Sequence, residues 1–133
     1  MSHFLSHIDA MTGYVPGEQP QGRTFIKLNT NENPYEPSLK VAEAMMPILM
    51  DGRLRLYPDP IGTEFRKAAA ELHGVDADWI LPGNGSDDIL TILTRALAGP
   101  GDVVASAQPG YILYETLAQL QNAKFEVVPF PVN

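Results

Sequence analysis

Six consecutive residues, Gly83-Asn84-Gly85-Ser86-Asp87-Asp88, carry the clearest chemical suggestion in this chain of 133 residues. Two glycines let the backbone come close to a ligand, and a helix starting at Ser86 presents unpaired N–H groups at its positive dipole end. That combination makes an anion site best suited to phosphate. The same residues also read as a tight turn, with Ser86 as cap and two acids countering the dipole. The two aspartates oppose an anion unless their side chains turn away and leave only their amides facing it. Gly-x-Gly is a common pattern, so the spacing alone leaves both readings open.

A second group, Gln108-Pro109-Gly110-Tyr111, follows the carboxyl end of an expected strand, where open α/β sheets bind ligands. Tyr111 could stack there on a flat ring, or it could simply pack against the sheet at a helix start. Leu28-Asn29-Thr30-Asn31-Glu32-Asn33-Pro34-Tyr35 is rich in asparagine and reads by itself as a polar turn. Arg55-Leu56-Tyr57-Pro58-Asp59-Pro60 reads as a proline-stiffened connector. The three histidines, His3, His7 and His73, lack metal-ligand spacing, and no Ser-His-Asp arrangement can be argued. Without cysteine there is neither a disulfide framework nor a thiolate site.

The elements that must position these groups follow from periodicity. Four prolines precede Ser38, and residues 1–37 read as an extended arm with one short strand at Thr24–Leu28. A helix begins near Ser38 with Val41, Ala42, Met45 and Leu49 on one side, and Pro47 should kink or end it. Asp51-Gly52 stops it, and Tyr57–Pro60 is extended because residues before proline avoid the helical region. Thr63 to His73 forms a second helix with Phe65, Ala68, Ala69 and Leu72 inward and Gly74 as its stop.

From Trp79 the chain alternates. A strand is expected at Trp79-Ile80-Leu81, a helix from about Ser86 to Ala98, and a strand at Val103–Ser106. The helix near Ser86 carries Ile89, Leu90, Leu93, Ala96 and Leu97 at helical spacing. A helix after Tyr111 places Tyr114, Leu117, Ala118 and Gln121 on one face and stops at Asn122, before a last strand from Phe125 to Phe130. The β-α-β-α-β order predicts an open, mainly parallel α/β sheet. Three parallel strands with a bare edge make a poor stopping point, so the sequence reads as cut short at Asn133.

Composition bounds the rest. Hydrophobic residues make up 44% and charged residues 19%, as in a globular chain. A net charge of -7, with nine Lys and Arg forming no cluster, argues against nucleic acid as a partner. No apolar run approaches the roughly 20 residues that cross a bilayer, and the start lacks the features of a secretory signal. Cytoplasmic is the default location.

Taken in order, five segments resemble the histidinol-phosphate aminotransferases, a branch of the fold-type-I pyridoxal-phosphate enzymes. They are Tyr14–Gly17, Lys27–Tyr35, Tyr57–Pro60, Gly83–Asp87, and Pro109 with Tyr111 and Tyr114. The resemblance implies that residues 1–37 are an arm and the start of a small domain. Residues 38–133 would be the amino-terminal part of the large cofactor domain. It further implies that the amides of Gly85, Ser86 and Asp87 hold the phosphate of pyridoxal 5'-phosphate and that Tyr111 stacks on its ring. Tyr57 would reach the cofactor of the other subunit of a homodimer. Tyr14, Asn31, Glu32 and Asn33 would lie near the substrate, with Tyr14 lent across the dimer.

Transamination also needs a Schiff-base lysine, an acid at the pyridine nitrogen and an arginine for the substrate carboxylate. In relatives all three come later in the chain. None of Lys27, Lys40, Lys67 and Lys124 lies in a segment resembling the lysine motif. The implied parent moves an amino group between glutamate and imidazole-acetol phosphate, and this chain alone is expected to be inactive. It should also expose faces that lead to association. Departures from the pattern are Glu36 for glycine, Asp88 for glutamate and Gly110 for threonine. Alternatives are an aminotransferase of another amino acid, a phospho-amino-acid decarboxylase of the same fold, or a non-catalytic phosphate-binding α/β module.

Overall fold

The computed structural model describes residues 2–12, 22, 26, 28 and 31–131. In chain order the helices are α1 (Ser6–Asp9), α2 (Leu39–Met50), α3 (Thr63–His73), α4 (Ser86–Leu97) and α5 (Leu113–Leu120). The strands are β1 (Val103–Gln108), before α5, and β2 (Lys124–Pro129), after it. Single 3-10 turns occupy Arg53–Arg55 and Ala77–Trp79. The chain divides into two units, one of Met1–Tyr14 with Thr63–Asn133 and one of Val15–Gly62. The strand expected at Thr24–Leu28 and the site residue Tyr14 fall on or among positions outside the described residues.

In the smaller unit, Ser38 Oγ accepts the Lys40 N–H at 3.3 Å and so caps α2. The helix continues through Pro47 to Met50, so the proline does not end it there. Pro47 lies in the last turn, where its missing N–H removes a single bond, and its own carbonyl still accepts from Asp51 N at 3.0 Å. Asp51 closes the helix. Its carboxylate accepts from the Arg53 N–H at 3.0 Å and from the Arg53 guanidinium, and both hold that carboxyl below its usual range. Gly52, at φ +75°, then reverses the chain in the left-handed region. The side of α2 expected to face inward is exposed at Val41, Met45 and Leu49.

In the larger unit, α3 ends as its sequence indicates. Gly74 takes φ +66° and Val75 N donates to Ala70 O at 3.1 Å, a Schellman closure. The expected inward face is only partly right. Of the four residues expected inward, Ala69 is half-buried, whereas Ala68 is exposed, Phe65 is 60% and Leu72 81% exposed, and the buried residue is their neighbour Ala70.

The strand expected at Trp79–Leu81 does not form. Asp76 Oδ1 accepts the Asp78 N–H at 2.9 Å and caps a 3-10 turn that runs through Trp79. Ile80 then has extended backbone, but its carbonyl is taken by a side chain. Arg66, half-buried on α3, donates Nε–H to Ala77 O and to Ile80 O, each at 3.0 Å, and Nη2–H to Asp78 Oδ1 at 2.7 Å. A guanidinium therefore occupies acceptors that a neighbouring strand would use.

The sheet among the described residues is β1 and β2 side by side, parallel, with Val103 opposite Lys124 and Gln108 opposite Pro129. Parallel strands need a crossover, and α5 supplies it. Its end matches the expected stop. Asn122 takes φ +54° and Ala123 N donates to Ala118 O at 3.0 Å, again a Schellman closure. Leu117 and Ala118, two of the residues expected on the inward face of α5, are buried, and Tyr114 and Gln121 are half-buried. On α4 the apolar face is half-buried at Ile89 and Leu90 but exposed at Leu93 and Leu97. No helix among the described residues is long and apolar enough to cross a membrane.

The Arg66 clamp yields a direct expectation. Arg66→Met keeps the apolar stem but leaves the Ala77 and Ile80 carbonyls without this donor. Stability should fall by about 2 kcal/mol, read as a lower urea midpoint at unchanged slope.

Candidate functional site

The glycine turn is built from its backbone upward. Gly85 N donates to Gly83 O at 2.9 Å, and Gly85 itself lies at φ +80° and ψ -179°, a region essentially reserved for glycine. A Cβ on Gly85 would meet nothing within 4 Å, so the backbone conformation and not crowding requires glycine there. Gly83 is glycine for the opposite reason. A Cβ would sit 2.7 Å from Ile89 Cδ1 and 2.9 Å from Asp88 Oδ2.

Helix α4 starts from this turn, and the cap position is Gly85, not Ser86. No side chain caps it, which corrects the reading of Ser86 as an ordinary cap. The amides of Ser86, Asp87 and Asp88 have no acceptor among the described residues. Three unpaired N–H groups at the positive end of a twelve-residue helix are the elements of an anion cradle.

The two aspartates do not fill that cradle. Asp88 reaches backwards, and its Oδ2 accepts the Asn84 N–H at 3.0 Å. Asp87 reaches sideways to Tyr111, whose hydroxyl donates within 3.0 Å of both carboxylate oxygens. Two residues 24 positions apart are thus joined, and the second expected group meets the first.

The loop that brings Tyr111 there depends on close backbone contact. Gln108 Oε1 accepts the Gly110 N–H at 3.2 Å, and Phe130 N donates to Gln108 O at 3.1 Å at the end of β1. A Cβ at Gly110 would lie 2.3 Å from Ala107 O. This backbone leaves no room for a side chain at Gly110. Tyr111 also meets Tyr114 edge to face, with ring centroids 5.9 Å apart and planes at 88°.

The other expected site residues among those described belong to the second unit. Asn31, at φ +52°, Glu32 and Asn33 are exposed, and Asn33 Oδ1 accepts the Tyr35 N–H at 3.0 Å, as in the polar turn expected. Tyr57 is 96% exposed and helps line a hollow of about 370 Å³ with Arg53, Leu54, Leu56 and Pro58.

Sequence reasoning missed the work of the Asp87 and Asp88 carboxylates. Nothing in a string of residues pairs position 87 with position 111. The Tyr111–Tyr114 contact did have a signal, since residues three apart adjoin at a helix start.

The geometry fits a ligand that joins an anionic group to a flat ring. Open amides and clear space beside Gly85 suit the anion, and the tyrosine anchored next to them suits the ring. Comparison with known proteins agrees. A profile of the family described as Aminotransferase class I and II matches residues 23–133. Histidinol-phosphate aminotransferase 1 of Trichormus variabilis is 49% identical over 134 residues, covering 99% of this chain and 38% of that protein. Histidinol-phosphate aminotransferase of Synechocystis sp. is 52% identical over 120 residues, covering 90% and 34%. The chain therefore spans about a third of the length of the curated relatives it matches.

Among solved structures, histidinol-phosphate aminotransferase from Sinorhizobium meliloti, in complex with pyridoxal-5'-phosphate, superposes at a TM-score of 0.82. It covers 98% of this chain and 36% of that one at 22% identity, which shows a shared fold. The α-aminoadipate aminotransferase LysN of Thermus thermophilus superposes at 0.59 with 27% identity, over 70% of this chain and 25% of that one. By fold and sequence together, the chain belongs to the class I and II aminotransferases.

Proposed function

We propose that these residues form the amino-terminal third of a histidinol-phosphate aminotransferase. Such an enzyme passes an amino group between glutamate and imidazole-acetol phosphate by way of pyridoxal 5'-phosphate. The observation that carries the reading is the junction of three amides on α4 that have no acceptor among the described residues with the anchored ring of Tyr111. Relatives near 50% identity that bear this name narrow the substrate class. Residues 38–133 then belong to the cofactor domain, and residues 1–37 to an arm and the start of a small domain. The parent is read as a cytoplasmic homodimer with shared sites.

In this reading the amides of Ser86 and Asp87 bind the cofactor phosphate, Gly85, whose own N–H donates to Gly83 O, supplies the open turn and not the donor expected of it, and Tyr111 orients the ring by stacking. When bound, pyridoxal 5'-phosphate supplies an electron sink for the substrate carbon. What this chain contributes is binding and orientation. Gly85 keeps the cradle open, and Asp88 holds the turn through Asn84. Tyr57 is assigned to the phosphate of the partner subunit's cofactor. Tyr14, Asn31, Glu32 and Asn33 are assigned to the substrate side. The lysine, the acid for the pyridine nitrogen and the arginine for the substrate carboxylate are not among the residues matched here.

Two outcomes test this. The polypeptide as its gene encodes it should transaminate histidinol phosphate in preference to other amino donors. The 133-residue chain by itself should show no turnover. Preference for another amino acid would overturn the substrate, and turnover by the short chain would overturn the division of labour. Separately, Gly85→Ala forces a strained backbone costing about 1–3 kcal/mol. It should raise the dissociation constant for pyridoxal phosphate roughly tenfold in a fluorescence titration.

A further inference from the structure

We propose that the Asp87 carboxylate and the Tyr114 ring are positioning residues that hold the Tyr111 ring as a platform beside the phosphate cradle. The inference rests on the cofactor reading above and adds two side chains that act through Tyr111.

Tyr111 is 41% exposed, so burial alone does not set the orientation of its ring. Two contacts from different directions do. At the far end of the ring the phenolic hydroxyl donates to Asp87, within 3.0 Å of either oxygen. Tyr114, held on α5, meets the ring edge to face at 5.9 Å and 88°. A hydroxyl tether limits where the tip of the ring can lie, and an edge contact limits its rotation. Together they constrain both torsions of the tyrosine side chain.

The tether also answers why an acid stands in an anion cradle at all. A carboxylate there serves the helix dipole, and an asparagine would avoid repelling a phosphate. Asp87 turns its charge out of the cradle by accepting a charge-assisted hydrogen bond from the one side chain that must be oriented. Its amide and its carboxylate thus do separate tasks.

The test uses the polypeptide as its gene encodes it, with Asp87→Ala, Asp87→Asn, Tyr111→Phe and Tyr114→Leu. One measurement needs no cofactor: the ring resonances of isotopically labelled Tyr111. The other adds pyridoxal phosphate and reads its dissociation constant and induced circular dichroism. Asp87→Ala should move the ring resonances, and Asp87→Ala and Tyr111→Phe should each weaken cofactor binding by about 5- to 10-fold. The double variant should be no weaker than the weaker single, because both remove one bond. Asp87→Asn keeps an oxygen acceptor, so it should restore both the resonances and the dichroism. Tyr114→Leu should reduce the dichroism while the hydroxyl tether persists.

Ring resonances unchanged in Asp87→Ala, or additive losses in the double variant, would overturn the positioning role. Failure of the unsubstituted protein to bind pyridoxal phosphate would instead overturn the cofactor reading. The cofactor-free resonances separate the two failures.

Discussion

Everything at this site depends on three backbone amides being kept without an acceptor among the described residues. The N–H groups of Ser86, Asp87 and Asp88 lie at the start of α4, where a capping side chain would ordinarily bond them. Here the cap position is a glycine in a conformation closed to other residues. The helix therefore forgoes roughly a few tenths of a kcal/mol of ordinary capping and keeps its donors for a ligand. Gly85 removes the cap, and the open space beside it leaves the approach clear.

Charge then becomes the difficulty. Two carboxylates follow the turn directly, and a unit charge about 4 Å from an anion costs roughly 1–4 kcal/mol between watery and protein-like surroundings. Both acids are drawn away from the cradle by donors of their own. Asp88 accepts from the backbone of Asn84, which closes the turn that carries the amides. Asp87 accepts from Tyr111, which ties that turn to the loop beyond β1. Residues that look like counter-charges for a dipole thus become struts of the site.

The surrounding scaffold explains where the loop comes from. Parallel pairing of β1 with β2, with α5 as crossover, puts Gln108 opposite Pro129, and the bond from the next residue, Phe130 N, to Gln108 O anchors the start of the loop. Burial is concentrated on α5, at Leu117 and Ala118, beside that pair. Elsewhere apolar faces such as Phe65, Leu72 and Leu97 find no opposite layer among the described residues. The site thus rests on hydrogen bonds and backbone conformation more than on the apolar core, which agrees with a chain that spans a third of its relatives.

Local chemistry was legible in the residues themselves. Helix periodicity, the glycine and asparagine stops at Gly74 and Asn122, and the glycine turn all depend on neighbours a few positions apart, and each is found in the structure. Ordered motifs also identified the family, since five short segments in sequence restrict far more than any one of them. Tertiary structure alone decided the rest. Trp79–Leu81 had the makings of a strand, but a 3-10 turn runs through Trp79 and Arg66 from the helix before it takes the Ile80 carbonyl. The Asp87 side chain read as a counter-charge until a tyrosine 24 positions away donated to it. In both cases the deciding partner is distant in sequence. No propensity or spacing encodes such a partner, because the contact exists only once the chain has folded.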